Sequence, residues 1–532
     1  MIKRTVVVHF FLLILFLWLT ISTSSVFAST VINAWSGALT DTSARVNARI
    51  SSNGSTRIVW SALSDMSTPV YSTTFIPLDT FSNWTGSYFI SGLIKDTRYY
   101  YAIEIDGSID LGFIGTFKTV KVNEPYSFSF VASACSPLGN NSAVFDSIRL
   151  KDPTFFFITG DFFYADISTN LVTPYRSAYN QTLTLSNHFN LYKNVPIVYM
   201  WDDHDFGPNN SNSLSPSRSA AISSYKENVP HYPLAAGVGE QPIYQAFTIG
   251  RVRFIASDLR SAKIPGSPGT MMGATQLNWF KQELIFAKNN NLVIVWMSSV
   301  PFISDDPTIA DASDNWAAYK EERKDISDFI VANGIKNIFI LSGDAHMLAI
   351  DDGTNSDYSS TGNSADIPVF QAAALGSSGS FKGGPYSHGS FQGSGQYGLI
   401  NVIDLGGNDI CFQFKGNNIN YSTSLVSLNF CSLNGVINTN DKVIPTLVPK
   451  LTIFPNPVKR DQSIFIEYEL PQDAELTIEL VNEKGSIVYY NKSFHYKGLV
   501  KEEIDKLNLS SGMYHVLIKS NIESLSRKII VR

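Results

Sequence analysis

Three apolar runs of the sequence each end in side chains that bind metal ions. The motifs at these ends are Gly160-Asp161-Phe162-Phe163-Tyr164, Trp201-Asp202-Asp203-His204-Asp205 and Ser342-Gly343-Asp344-Ala345-His346. A buried strand that ends in several carboxylates is costly unless another group pairs their charge. We therefore predict one metal-filled site where the ends of these strands meet in a sheet.

The types of donor predict that this site holds more than one kind of metal. Cys135 also follows an apolar run, and with Tyr164 it offers a thiolate and a phenolate, the forms that a highly charged cation favours. We predict Fe(III) beside these two residues. Asp161 could bridge two ions because each carboxylate oxygen can bind one. The other candidate ligands are mostly oxygens, which suit Ca²⁺ or Mn²⁺. They are Asp202, Asp203, Asp205, Asp344 and the amides of Asn209 and Asn210.

Composition limits the class of protein. The chain has 532 residues and a formal net charge of −6, so nothing favours a nucleic acid as a specific partner. Aromatic residues make up 13% and charged residues only 16% of the chain, which is typical of aromatic-rich β structure and not of a disordered protein. The length predicts two to four domains on a prior of roughly 150 residues each.

The N-terminus is typical of a secretory signal peptide. Lys3 and Arg4 precede an apolar stretch from Val6 to Leu19, and Val26-Phe27-Ala28 offers a cleavage site after residue 28. The alternative is a retained membrane anchor. The chain has three cysteines, so an exported protein would keep at least one free thiol. Cys411 and Cys431 lie in neighbouring apolar stretches and could form a disulfide, whereas Cys135 lies far from both.

The strands and helices predicted around the motifs divide the chain into domains. We predict a β-sandwich over residues 29–121, an α/β core over 125–435, a linker over 436–448 and a small β-sandwich over 449–532. In the core, 276–288 and 319–331 have the spacing of helices and alternate with apolar strands, which implies a sheet covered on both faces. Within the front domain, residues 93–101 resemble the tyrosine-corner strand of a fibronectin type III domain.

The C-terminal segment resembles the sorting domain of the type IX secretion system. The matching residues are Phe454-Pro455-Asn456-Pro457, Gly485 and Leu509-Ser510-Ser511-Gly512-Met513-Tyr514. The resemblance implies that the secretion machinery is a partner, and that the chain crosses an outer membrane and is then released or attached to the surface. The alternative is an ordinary accessory β-domain.

The order of the motifs resembles that of PhoD-like alkaline phosphatases, within the calcineurin-like metallophosphoesterases. The match runs over about 125–405 and includes Cys135, the three strand-end motifs and Ser257-Asp258-Leu259-Arg260. It implies an α/β metallophosphoesterase core of packed β-sheets flanked by helices. The front domain also resembles the fibronectin-like N-terminal domain of that family.

The resemblance assigns roles to single positions. It implies that one Fe(III) and one or two Ca²⁺ are bound, with Asp161 bridging iron to calcium. The implied metal ligands are Cys135, Asp161, Tyr164, Asp203, Asp344 and His346. The implied substrate-binding residues are Asn209, Arg260 and Arg176. For Arg176, a salt bridge on a helix is the alternative to substrate binding. The implied catalytic residues are Asp161 and His204, and His204 would lie next to the leaving group. Two departures are Asp205, where many relatives carry Glu, and the register of Asn209 against Asn210.

We therefore expect a secreted, monomeric, metal-dependent phosphatase that hydrolyses small phosphate esters. The implied reaction is in-line attack by a metal-held oxygen nucleophile. Two alternatives stay open: a phosphodiesterase or phospholipase-D-like enzyme acting on lipid or polymer diesters, and a surface-binding protein with a dead site. The sequence does not separate monoesters from diesters, because the same metals serve both.

Overall fold

The structure is a computed structural model. It describes residues 28–266, 268–304, 314–362, 365–433, 436–438, 451–470, 474–482, 486–495, 498–505, 509–519 and 524–532. The chain divides into two compact units, Met1–Asn440 and Asp441–Arg532. The predicted signal peptide, apart from residue 28, lies outside the described residues, and so does most of the predicted linker. In the described ranges, no helix is both long and apolar enough to cross a membrane.

The front part of the chain is built from short strands. They are β1 (Val31–Gly37), β2 (Ser43–Ile50), β3 (Gly54–Ser61), β4 (Val70–Tyr71), β5 (Ile76–Leu78), β6 (Thr85–Ser91), β7 (Arg98–Ile105), β8 (Ser108–Ile109) and β9 (Gly115–Lys118). Strands β1, β2 and β6 pair in one sheet, and β3 and β7 pair in another with β4, β5, β8 and β9 on them. The Tyr99 hydroxyl accepts a hydrogen bond from the Ile94 backbone amide at 3.0 Å, as a tyrosine corner requires.

The core domain supplies most of the strands of two larger sheets. They are β10 (Phe128–Ser133), β11 (Phe155–Ile158), β12 (Ile197–Tyr199), β13 (Gln245–Ile249), β14 (Val252–Ala256), β15 (Val293–Ser298), β16 (Ile338–Ser342), β17 (Met347–Asp351), β18 (Val369–Ala372), β19 (Ser390–Gln392), β20 (Gln396–Ile403), β21 (Ile410–Asn418), β22 (Val426–Leu433) and β23 (Val436–Asn438). Among the described residues, one sheet has the order β23-β22-β21-β20-β10-β11-β12-β1-β2-β6 and the other β13-β14-β15-β16-β18-β17-β19. Gly37 of β1 pairs with Ile197 of β12, so front strands continue the core sheet.

Helices follow or precede these strands. They are α1 (Val144–Arg149), α2 (Val172–Thr184), α3 (Ser186–Tyr192), α4 (Asp203–Phe206), α5 (Arg218–Asn228), α6 (Gly273–Asn289) and α7 (Lys320–Ala332), with a 3₁₀ turn at Trp316–Tyr319. Helices α6 and α7 coincide with the predicted helices at 276–288 and 319–331. Helix α6 buries Phe280, Leu284 and Ala287, which recur at the helical spacing.

Aromatic side chains join the two core sheets. The rings of Phe130 and Phe155, from neighbouring strands, stack at 5.0 Å between centroids. Phe254 of the other sheet meets the edge of both, at 5.4 Å from each. Burying a phenylalanine side chain stabilises a fold by about 1.5–3 kcal/mol, so this interface fixes how the two sheets face each other. The phenylalanine-rich runs are therefore part of the core.

The cysteines and the C-terminal unit complete the fold. Cys411 of β21 lies opposite Cys431 of β22 and forms a disulfide with it, while Cys135 is a buried free thiol. The C-terminal strands are β24 (Leu451–Phe454), β25 (Ile464–Leu470), β26 (Ala474–Asn482), β27 (Ile487–His495), β28 (Gly498–Ile504), β29 (Gly512–Lys519) and β30 (Ser524–Val531). They pair as β24-β25-β28 and β27-β26-β29-β30. Alternate residues of β26, such as Leu476, Ile478 and Leu480, form the core of this unit.

Candidate metal centre

The motif residues lie where strands of both core sheets end. Strands β10, β11 and β12 run parallel, so their carboxyl ends share one edge of the larger sheet. Strand β16 of the smaller sheet ends just before Asp344. The backbone turns with a left-handed φ at Cys135 (63°), Asp161 (51°), Asp344 (62°) and His346 (45°). Such backbone strain costs on the order of 1–3 kcal/mol per residue and clusters at functional sites.

Two glycines allow the strand ends to approach each other. A Cβ on Gly160 would lie 2.6 Å from the Cβ of Asp202, and one on Gly343 would lie 2.4 Å from the carbonyl oxygen of Thr159. Because real side chains do not tolerate such distances, only glycine lets these three loops meet. The Gly-Asp pairs of the first and third motifs therefore have a packing reason as well as a chemical one.

The first group of donors combines sulfur, nitrogen and oxygen. Ligand atoms of Cys135, Asp161 and His346 all lie within 4.8 Å of one another. The Tyr164 hydroxyl lies 3.0 Å from Asp161 Oδ2 and 2.9 Å from His346 Nε2, and Cys135 Sγ lies 3.5 Å from Asp161 Oδ2. His346 Nδ1 contacts the carbonyl oxygen of Ser378 at 2.9 Å, which turns Nε2 toward the group.

The second group of donors consists mainly of carboxylates and shares Asp161 with the first. Ligand atoms of Asp161, Asp203 and His204 lie within 4.8 Å of one another, and so do those of Asp161, Asp202 and Asp344. Asp202 Oδ2 and Asp203 Oδ1 are buried and have no hydrogen-bond partner. Unpaired buried carboxylate oxygens are rare in proteins because each costs its full desolvation penalty. Their presence here fits a site for cations.

The electrostatics of the cluster point the same way. Burial raises the pKa of Asp161 well above its usual range, and the nearby Asp203 and Asp202 raise it further. Burial, followed by the charges of Asp161 and Asp344, likewise raises the pKa of the Cys135 thiol. The charged neighbours that act on Asp161 are carboxylates, and bound cations would supply the opposite charge. The donor set as a whole fits a centre with a thiolate, phenolate and imidazole side and a carboxylate side.

His204 lies at the rim of the cluster. Its Nδ1 contacts Asp166 Oδ1 at 2.6 Å, its ring lies 4.0 Å from that of Tyr164, and its backbone amide donates to Asp161 Oδ1 at 3.4 Å. The side chain of His204 is 17% exposed. Since Asp166 engages Nδ1, the other ring nitrogen stays available to a ligand at the cluster.

Asp205, in contrast, is used inside the protein. One of its oxygens accepts from the Asp202 amide at 2.7 Å, and the other accepts from the Phe162 amide at 2.9 Å and from the Tyr199 hydroxyl at 2.5 Å. These bonds cap helix α4 and tie the second motif to the first. The structure therefore gives Asp205 a positioning role, although the sequence made it a candidate metal ligand.

Arg260 is fully buried and pairs with carboxylates of the cluster. Its Nε donates to Asp202 Oδ1 at 2.6 Å, its Nη2 donates to Asp314 Oδ2 at 3.0 Å, and its guanidinium lies 3.7 Å from Asp203 Oδ1. Asp314 also pairs with Lys263. The contact of Arg260 with a substrate phosphate stays a prediction, and its geometry favours holding Asp202 and Asp203 in place.

The other predicted substrate ligands are placed less centrally. Asn209 is exposed, and it is the backbone amide of Asn210 that reaches the cluster, donating to Asp203 Oδ2 at 2.6 Å. Arg176 pairs with Glu227 at 2.6 Å and donates to the Phe81 carbonyl at 3.0 Å, so its contacts are with α5 and the loop between β5 and β6. Substrate binding by Asn209 and Arg176 stays a prediction.

Sequence reasoning missed two residues of the site. Lys382 Nζ lies 2.7 Å from Asp344 Oδ1, and Asp166 orients His204. Lys382 precedes Gly383 and Gly384 in a glycine-rich stretch, and no motif marks either Lys382 or Asp166. The Gly-Gly pair after a lysine, in a chain already expected to bind phosphate, was the only available signal for Lys382.

Two family models match the chain. Residues 130–392 match the PhoD-like phosphatase family, and residues 452–532 match the secretion system C-terminal sorting domain. No curated protein sequence matches the chain.

Solved structures agree with the fold. The structure of PhoD is 15% identical, covers 78% of this chain and 92% of its own, and has a TM-score of 0.61. The purple acid phosphatase PPD1 from yellow lupin (Lupinus luteus) seeds is 11% identical, covers 76% of this chain and 74% of its own, and has a TM-score of 0.54. Likeness at such identities shows the fold, and the predicted α/β class with packed sheets is confirmed. The domain at residues 130–392 thus belongs to the PhoD-like phosphatases, and the chain ends in a secretion system C-terminal sorting domain.

Proposed function

We propose that this chain is an exported phosphatase that hydrolyses phosphomonoesters with bound iron and calcium. The observation that carries the proposal is the sharing of Asp161 by all three groups of candidate ligands. A single buried carboxylate that is common to a sulfur-containing group and a carboxylate group suits two neighbouring cations of different kinds.

The residues divide between the two kinds of cation by their chemistry. Cys135, Tyr164 and His346 would hold Fe(III), Asp203 and Asp344 would hold Ca²⁺, and Asp161 would serve both kinds of cation. When bound, these metals supply positive charge to the phosphate oxygens and activate water as the nucleophile.

The chain's own residues prepare the reaction. Asp166 fixes the ring of His204 through Nδ1, and the free ring nitrogen of His204 donates a proton to the leaving oxygen of the ester. Arg260 and Ser299 both donate to Asp202 Oδ1, at 2.6 and 2.7 Å, and so hold the carboxylate layer rigid. Rigidity matters because charge stabilisation in the transition state works best when the charged groups need not reorganise.

Export is the second part of the proposal. A signal peptide over residues 1–28 would deliver the chain to the periplasm, and the sorting domain would pass it to the type IX machinery. The Cys411–Cys431 disulfide supports this route, since such bonds persist in oxidising compartments. The protein would then act, as a monomer, on small phosphate esters outside the cell.

The test combines metal analysis with two substrates. We would purify the exported form, measure its iron and calcium, and compare hydrolysis of p-nitrophenyl phosphate with that of bis(p-nitrophenyl) phosphate. We expect faster turnover of the monoester and loss of activity on chelation. Preference for the diester would favour the phosphodiesterase alternative, and full metal content without hydrolysis of either would favour a binding protein.

A further inference from the structure

Lys382 contacts the cluster through Asp344 and is partly exposed to solvent. Its ammonium lies 2.7 Å from Asp344 Oδ1, and a quarter of its side chain is exposed while that of Asp344 is only 6% exposed. Its charge also interacts with Asp203. Lys382 is therefore a positive charge at the same surface of the cluster that a ligand would meet.

The other cations near the carboxylates cannot meet a ligand in this way. In the described part of the chain, the cations paired with Asp202 and Asp314 are Arg260 and Lys263, whose side chains are 0% and 1% exposed. Arg260 donates to two carboxylates at once, and a buried pair of this kind is broken only at a cost of several kcal/mol. Lys382 has one carboxylate contact, a flexible stem and solvent access.

The backbone around Lys382 is fixed. The Ser380 hydroxyl donates to the Ala345 carbonyl at 3.2 Å on one side, and the Gly384 amide donates to the Ile303 carbonyl at 2.8 Å on the other. Gly383 has a φ of +72°, and a Cβ there would lie 2.3 Å from that same carbonyl oxygen. The loop therefore anchors the backbone of Lys382 at the third motif, with its partly exposed side chain beside Asp344.

We propose that Lys382 is a phosphate-binding residue, whose ammonium donates to a non-bridging oxygen of the substrate while it remains beside Asp344. This inference rests on the proposed phosphatase function and deepens it. An ammonium has three donors, and Asp344 uses one of them. Because a monoester dianion carries more charge than a diester monoanion, Lys382 would favour monoesters.

The experiment uses the metal-loaded full chain and inorganic phosphate as the probe. We would compare the wild type with Lys382→Gln, Lys382→Arg and the control Lys281→Gln, which removes a surface ion pair with Asp325. Calorimetry gives the phosphate dissociation constant, metal analysis gives the occupancy, and p-nitrophenyl phosphate gives KM and kcat. We expect Lys382→Gln to weaken phosphate about 10- to 100-fold and to raise KM similarly at unchanged metal content. Lys382→Arg should restore most of the affinity, and Lys281→Gln should match the wild type.

Several outcomes would overturn the assignment. Wild-type phosphate affinity in Lys382→Gln would do so, and so would a loss of metal that fully accounts for weaker binding, since Lys382 would then only balance the charge of Asp344. A wild type that binds phosphate through Lys382 but hydrolyses no ester would overturn the proposed function and leave the Lys382 assignment intact. A wild type that binds no phosphate would overturn both.

Discussion

The Tyr164 hydroxyl and His346 Nε2 lie 2.9 Å apart, although 182 positions separate them in the chain. Tyr164 follows β11 of the larger core sheet, and His346 follows β16 of the smaller one. The contact therefore exists only when the two sheets are packed against each other. It follows that a metal held by both residues would stabilise the packed state of the whole core, since a ligand that binds only the folded form adds to its stability.

Removing the shared carboxylate should empty the site without unfolding it. We expect Asp161→Ala to lose both metal and phosphatase activity, because each group of ligands contains Asp161. The metal-free variant should be at least as stable as metal-free wild type, since the neighbouring carboxylates that raise the pKa of Asp161 also repel it. Elemental analysis, esterase assays and thermal melts of the metal-free proteins test this.

The matched control is Asp146→Ala, which removes an exposed carboxylate paired with Arg149. It should keep metal, activity and stability. Retention of a full metal complement by Asp161→Ala would contradict the shared role of this residue.

The sequence predicted that the strand-end residues lie close together, because their signal is local. Asp161, Asp203 and His346 each stand within a few residues of the end of an apolar run. The ends of the parallel strands β11 and β12 share one edge of the larger sheet, and the end of β16 from the smaller sheet comes to the same place. The left-handed backbone at Asp161 and His346, in contrast, could not be read from the sequence, since neither is a glycine.

The structural features that the sequence did not predict depend on residues that are distant in the chain. The burial of Arg260 follows from its pairing with Asp314, which is 54 positions away. The extension of the core sheet by front strands rests on one pairing, Gly37 with Ile197, that no periodicity encodes. The contact of Lys382 with Asp344 depends on the path of a glycine-rich loop.

Replacing Arg260 should destabilise the core. We expect Arg260→Met to cost about 3–5 kcal/mol, because it leaves Asp202 and Asp314 buried without their cation. Urea unfolding followed by tryptophan fluorescence reports on Met1–Asn440, the unit that contains Arg260, since all eight tryptophans precede residue 441. Arg149→Met, at an exposed pair, should cost less than about 1 kcal/mol. A small effect of Arg260→Met with a large rise in KM would instead restore the predicted phosphate contact.

The proton donor can be tested through the residue that orients it. We expect Asp166→Asn to lower kcat for an alkyl phosphate by about 10²-fold or more and to affect p-nitrophenyl phosphate little, because nitrophenolate leaves without a proton. Metal content should not change, since Asp166 is half exposed at the rim. Asp152→Asn, at an exposed pair with Arg98, is the control. Equal loss on both substrates would argue against proton donation by His204.

His188 should make the folded core sensitive to acid. It is buried against Phe145, its Nε2 donates to the Asn140 carbonyl at 2.7 Å, and burial lowers its pKa to about 4. The unfolded chain binds a proton at this residue as the pH falls below roughly 6.5, whereas the folded chain does so only near the lowered value. The stability that depends on neutral His188 is therefore complete above pH 6.5 and declines as the pH falls toward 4, by up to about 3 kcal/mol.

The variant that tests this is His188→Gln, whose amide can still donate to the Asn140 carbonyl but does not titrate. We expect it to lose less stability than the wild type between pH 7 and pH 4.5, with urea midpoints followed by tryptophan fluorescence in metal-free protein. His495→Gln is the control, because His495 lies in the C-terminal unit, where there is no tryptophan to report on it. If the pH curves of His188→Gln and wild type run parallel, this buried imidazole is not a source of the acid sensitivity of the core.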